Sequence, residues 1–221
     1  REYNNRAAVP DHPQWFARWA TDSARSRARL DARLDLRYGG GPRQTLDLFP
    51  AREPRGALLF IHGGYWRALD KSDHSFIADP WVERGIGVAV MNYDLCPAVG
   101  IPRIVEEVRE AVTWLGANGA RHGVPTERLL LAGHSAGGHL VASLLAELGR
   151  RAQAAARARS DQLGQLVASL DAGVIATDGA GRITFANPAA ERLIGQPAAA
   201  ARGQTIEQAL GRLSADARQI A

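Results

Sequence analysis

Cysteine is nearly missing from this chain, since Cys96 stands alone. A single thiol excludes an internal disulfide and a cysteine-based zinc cage. It suits a reducing compartment, so a cytoplasmic location is expected. Long apolar runs are missing as well, and a stretch such as Gly85 to Met91 is far too short to cross a bilayer. The N-terminus is polar and charged, without the apolar centre of a secretory signal. Arg1 opens the chain and Met91 is its sole methionine, which reads as an excised or incomplete product. The net charge of +4 is carried almost wholly by arginine, and no basic stripe is interleaved with aromatics. Arginines spread over solvated faces are therefore expected, with neither nucleic acid nor a membrane as partner. Gly-x-Gly-x-x-Gly and Walker-type loops are missing. His134 and His139 are five apart and do not share a helical face, so neither metal nor cofactor is expected. One shortage outweighs the rest: no histidine follows His139.

What is present suffices for a core. Of 221 residues, 46% are hydrophobic and 23% charged, which is globular composition. Every Trp, Tyr and His lies before residue 140, and beyond 145 the only aromatic is Phe185. That switch suggests two segments of different origin.

The first segment alternates strand and helix signals. His12 to Leu30 is a helix candidate carrying Trp15, Phe16 and Trp19. Leu34-Asp35-Leu36 and Leu46-Asp47-Leu48 alternate as half-buried strands do, with a turn at Gly39-Gly40-Gly41-Pro42. Ala57 to Ile61 and Ile86 to Asn92 read as strands buried on both faces. Asp73 to Arg84 is a helical region that Pro80 must interrupt or shorten. Ile104, Val108, Ala111, Val112 and Leu115 share one helical face. Arg128 to Ala132 is a further strand. Such alternation implies a mainly parallel sheet with helices on its faces.

The second segment begins with a long helix over Gly138 to Leu170, free of proline, with Arg150, Arg151, Arg157 and Arg159 solvated. Gly173 to Thr177 and Arg182 to Ala186 are strands joined by a turn at Asp178-Gly179-Ala180-Gly181. Asn187 caps a helix with Pro188 at its first position, and Gly195 ends it. Ile206 to Ile220 is helical in propensity.

Gly133-His134-Ser135-Ala136-Gly137 directly follows the apolar run Leu129 to Ala132. Gly-x-Ser-x-Gly between strand and helix makes a sharp turn that lifts the serine oxygen above the sheet. The Ala136 amide would then face a developing oxyanion. His62-Gly63-Gly64, after the Ala57 to Ile61 strand, is placed to supply further donors. Each motif alone is a weak signal; together, in these strand contexts, they point to a serine hydrolase.

Residues 2 to about 145 resemble the N-terminal half of an α/β-hydrolase of the kynurenine formamidase and related esterase type. The resemblance rests on Tyr3-Asn4-Asn5-Arg6, Tyr38-Gly39, Leu46-Asp47-Leu48-Phe49-Pro50, His62-Gly63-Gly64-Tyr65-Trp66, Asn92-Tyr93 and Gly133 to Leu140. It implies Ser135 as nucleophile, the Gly63, Gly64 and Ala136 amides as oxyanion hole, and Tyr65 and Trp66 near the substrate. Small esters or N-formyl amides are the implied substrates.

In this fold the triad runs in the order Ser, acid, His. Downstream acids exist (Asp161, Asp171, Asp178, Asp216), but no base follows. His139 lies one turn along the nucleophile's own helix and is carried away from the serine oxygen. His62 and His134 precede the serine and are expected to brace loops. Without a base the serine is a weak nucleophile, and hydrolysis close to background is expected.

Leu166 to Gly195 resembles the start of a PAS sensory domain of bacterial sensor histidine kinases. The carrying residues are Asp171 to Asp178 and Gly181-Arg182-Ile183-Thr184-Phe185-Ala186-Asn187-Pro188-Ala189-Ala190-Glu191. The alternative is a generic hairpin followed by a capped helix. The expected organisation is a truncated α/β-hydrolase domain over 1–145, a helical linker over 146–170 and a partial PAS-like α+β segment over 171–221. A joined, frame-disrupted or chimeric product would explain it. Function then divides between a crippled hydrolase and a sensory fragment that forms a homodimer through the 138–170 helix. A further arrangement stays open: a sheet cut after the serine strand leaves a bare edge, where Gly173 to Thr177 could pair in parallel and bring Asp178 to a strand end.

Overall fold

Short apolar runs alternating with amphipathic ones give the strand-and-helix alternation expected above. The computed structural model describes residues 9–158 and 173–210. The strands are β1 (Arg33–Arg37), β2 (Thr45–Phe49), β3 (Gly56–Ile61), β4 (Ile86–Met91), β5 (Leu129–His134), β6 (Gly173–Thr177) and β7 (Ile183–Ala186). They form one sheet in the order β1-β2-β4-β3-β5-β6-β7. Pairing is parallel from β4 through β3 and β5 to β6, and antiparallel at β1/β2, β2/β4 and β6/β7.

The helices are α1 (His12–Arg29), α2 (Ala78–Val82), α3 (Ile101–Asn118), α4 (Ala136–Ala158), α5 (Pro188–Ile194) and α6 (Ala198–Ala201). On one face of the sheet, Leu46, Leu59, Met91 and Leu131 pack with Ile104, Val108 and Leu115 of α3 and with Leu140 and Leu144 of α4. On the other, Phe49, Phe60, Val90, Leu130 and Ala132 pack with Trp81 of α2. Each such side chain, once buried, contributes about 1.5–3 kcal/mol. Burial on both faces explains why β3 and β4 are continuous apolar runs.

The second apolar cluster does not stop at β5. Leu130 and Ala132 continue into Ile175, Ile183, Ala190, Ile194, Ala201 and Leu210. β6 lies along β5 in register from Leu130↔Gly173 to His134↔Thr177, so the edge beside the serine strand is paired. The composition change near residue 145 falls inside α4. Residues 159–170, the rest of the long helix expected over 138–170, lie outside the described residues.

The helix after β7 forms as its signals require. The Asn187 side chain accepts the Ala190 amide at 2.9 Å, Pro188 opens the helix, and Gly195 closes it at φ 72°.

Two local readings change. The region from Asp73 to Arg84 is not one helix. It comprises 3₁₀ turns at Lys71–Asp73 and Ser75–Ile77 followed by the five residues of α2. Pro80 has no N–H to give, and it fits only where a helix is starting. β2 is also not half-buried. Asp47 is 1% exposed because β2 lies inside the sheet, and its carboxylate accepts Lys71 Nζ at 2.7 Å.

Candidate active site

Ser135 sits at the one-residue turn between β5 and α4, exposed and in the left-handed region at φ 53°. A serine held there costs about 1–3 kcal/mol and persists only where its surroundings enforce it. Here the enforcement is a close approach of backbones. A Cβ on Gly137 would stand 2.0 Å from the Ile61 carbonyl oxygen, so only glycine lets the start of α4 press against the end of β3.

The loop leaving β3 lies against the same turn. A Cβ on Gly63 would meet His134 Nδ1 at 2.9 Å and Ser135 Cβ at 3.3 Å. Gly64, Tyr65 and Trp66 then take three successive positive φ values of 107°, 54° and 58°. The Gly63 carbonyl accepts His62 Nδ1–H at 2.7 Å and the Tyr93 hydroxyl at 3.1 Å. The preceding His62 carbonyl also accepts Tyr93 O–H, at 2.9 Å. Among the described residues, the Gly63, Gly64 and Ala136 amides donate to no acceptor.

The far end of this loop is tied down by the residue before Tyr93. Asn92 Oδ1 accepts the Lys71 amide at 2.7 Å, and Asn92 Nδ2 donates to Asp70 Oδ2 at 2.7 Å. Burial works to raise the Asp70 carboxyl, but the Ser72 amide and Asn92 Nδ2 hold it down at about 2. Lys71 Nζ bridges Asp47 and Asp35 at 2.7 Å each. Burial opposes the ammonium, but the two carboxylates prevail and raise its pKa.

The histidines stand as follows. His62 is stacked on Tyr93 with centroids 4.4 Å apart, and burial lowers its pKa to about 3. Burial likewise lowers His74. His134 is lowered by burial while Asp178 pulls the other way. His139 is exposed, with Nε2 3.5 Å from Ser143 Oγ. Among the described residues none of them hydrogen-bonds to Ser135 Oγ. Asp178 follows β6 at the same rim of the sheet, where His134 pairs with Thr177. Its Oδ1 accepts the Ala180 and Arg182 amides at 2.9 Å each.

Tyr65 is 44% exposed beside the turn, and Trp66 is half-buried. The sequence alone assigned no role to Trp19. Its ring meets His134 edge-on, with centroids 6.1 Å apart, and thereby brings α1 to the site. Nor did it assign tasks to Asn92 and Tyr93, although both follow directly on the β4 apolar run.

A mostly parallel sheet with a serine at a strained strand-to-helix turn is the architecture of an α/β-hydrolase. The BD-FAE family model matches residues 46–173, over half of the chain, and the chain belongs to that family. The PAS fold model matches residues 161–211. The kynurenine formamidase of Drosophila melanogaster is 39% identical over 113 residues, which are 50% of this chain and 37% of that protein. That of Salmo salar is 32% identical over 124 residues, 55% of this chain and 41% of that protein. The chain thus spans about two fifths of these curated relatives. A crystal structure of a candidate thioesterase from a Silicibacter species is similar with a TM-score of 0.61 and 31% identity. It covers 85% of this chain and 80% of its own.

Proposed function

We propose that the chain carries a serine hydrolase site of the formamidase and esterase type, for small ester or N-formyl amide substrates. Ser135 is the nucleophile, the Gly63, Gly64 and Ala136 amides form the oxyanion hole, and Tyr65 and Trp66 border the acyl or aromatic part of the substrate. The observation that carries this reading is the strained Ser135 turn with the Gly63 backbone packed against it. Within these 221 residues the only histidine after the serine is His139, which is turned to Ser143. The chain therefore lacks a general base and hydrolyses close to background. A cytoplasmic location belongs to the same reading and rests on the lone Cys96.

An alkyl fluorophosphonate tests it, with intact mass as readout. Ser135 Oγ forms the bond to phosphorus, fluoride leaves, and hydroxide takes the proton. Labelling is expected to be slow, to rise about tenfold per pH unit without levelling off near neutrality, and to vanish in Ser135→Ala. A plateau near neutral pH, or p-nitrophenyl acetate turnover lost in Ser135→Ala, would mean that a base operates.

The PAS match over 161–211 supports a second reading. The hydrolase part then ends near 145, residues 146–170 are a helical linker, and 171–221 are a sensory fragment dimerising through the 138–170 helix. Sedimentation that gives a strict monomer at high concentration removes it.

A further inference from the structure

We propose that Tyr93 is the positioning residue of the oxyanion hole, which rests on the hydrolase reading above. One buried hydroxyl shares its single proton between two consecutive carbonyls in a three-centre bond, His62 O at 2.9 Å and Gly63 O at 3.1 Å. In a trans peptide the C=O and N–H point in opposite directions across a rigid plane. The His62 carbonyl shares its plane with the Gly63 amide, and the Gly63 carbonyl shares its plane with the Gly64 amide. Pinning both carbonyls to one oxygen therefore turns both amides to the opposite side of the loop. They are two of the three donors assigned to the oxyanion.

Three further observations fit this task. Tyr93 is fully buried, so its hydroxyl has no water to compete for it. Burial pushes its pKa up, which keeps it a donor. His62 stacks on its ring with planes 16° apart while donating Nδ1–H to the same Gly63 carbonyl, so ring and hydroxyl grip the loop together. The left-handed run from Gly64 to Trp66 starts directly after this clamp. A chain forced into such φ values needs an anchor at its entrance.

Tyr93→Phe removes the hydroxyl and keeps the ring, so packing against His62 survives. Losing one oxyanion donor outright costs about 10²–10³ in rate. Loosening two without removing either is expected to slow fluorophosphonate labelling of Ser135 at pH 9 about tenfold. The loss should fall on the maximal rate of inactivation, with the half-saturating probe concentration unchanged. Backbone ¹⁵N order parameters supply a readout independent of reactivity, in which Gly63 and Gly64 fall from the rigid value of about 0.85 to below about 0.6 in the variant while β3 and β5 do not change. Unchanged order parameters at Gly63 and Gly64 overturn the proposal. So does an unchanged maximal rate in a variant that the probe still labels. Wild-type protein left unlabelled at every pH overturns the hydrolase reading instead, and the order parameters then still decide whether Tyr93 anchors the loop.

Discussion

Trp66 meets His139 edge-on, with ring planes 83° apart and centroids 5.2 Å apart. The imidazole one turn along the helix from Ser135 is thus engaged by the loop that leaves β3. Its Nε2 lies 3.5 Å from Ser143 Oγ, one turn further along α4.

His139→Ala is accordingly expected to leave the pH dependence of Ser135 labelling unchanged in slope. A labelling rate that stops responding to pH in wild type, and regains its slope in the variant, would identify His139 as a working base.

Acid should unfold this protein early. His62, His74 and His134 all have native pKa values lowered by burial, His62 to about 3. Their unfolded values lie near 6.5. Below about pH 6.5 the unfolded chain binds protons that the native chain refuses, so stability falls as pH falls, by up to about 1.4 kcal/mol per pH unit for each group. For His62 the loss continues down to about 3. Thermal midpoints measured from pH 7 to pH 4 should drop steadily, and His62→Gln should flatten the slope by about one proton. Asp70, held at about 2, adds a further loss at still lower pH.

The ion pair beneath the site is a structural necessity once it is built. Lys71 is 5% exposed and Asp47 1%. Asp47→Ala leaves the ammonium beside only the exposed Asp35 and is expected to cost about 3–5 kcal/mol. Urea unfolding reads this directly; a loss under about 1 kcal/mol would mean that Lys71 escapes to solvent.

The docking of β6 on β5 is open to test by one side chain. Ile175 is buried against Leu130 and Ala132, and Ile175→Ala is expected to cost about 2–5 kcal/mol. If unfolding followed at Trp81, in the hydrolase part, did not move, the C-terminal strands would be folding apart from the sheet.

Much of this architecture was legible in the sequence because periodicity and punctuation agree. The apolar runs before His62 and Ser135 are strands, the face from Ile104 to Leu115 is buried, and Asn187, Pro188 and Gly195 bound their helix as capping rules require. Other features depend on neighbours that no local pattern names. Asp47 alternates with leucines as a solvent-facing residue would, and only Lys71, 24 residues on, makes its burial tolerable. The turns before α2 are set by Asp70 capping and by Asn92, not by helical propensity. Ser135, Gly63 and Gly64 stood out by type and spacing. Tyr93 stood out only within Asn92-Tyr93, and its task was not legible because its hydroxyl acts on carbonyls of another strand's loop, about 30 residues away.

The direction of β7 sets a limit on this site. A strand parallel to its neighbours would have delivered a fresh loop to the rim that carries Ser135. An antiparallel one brings only the tight turn over 178–182, whose single carboxylate already satisfies the turn's own amides. Anyone wishing to graft an imidazole near Ser135 has, among the described residues of this half of the sheet, that turn to build on.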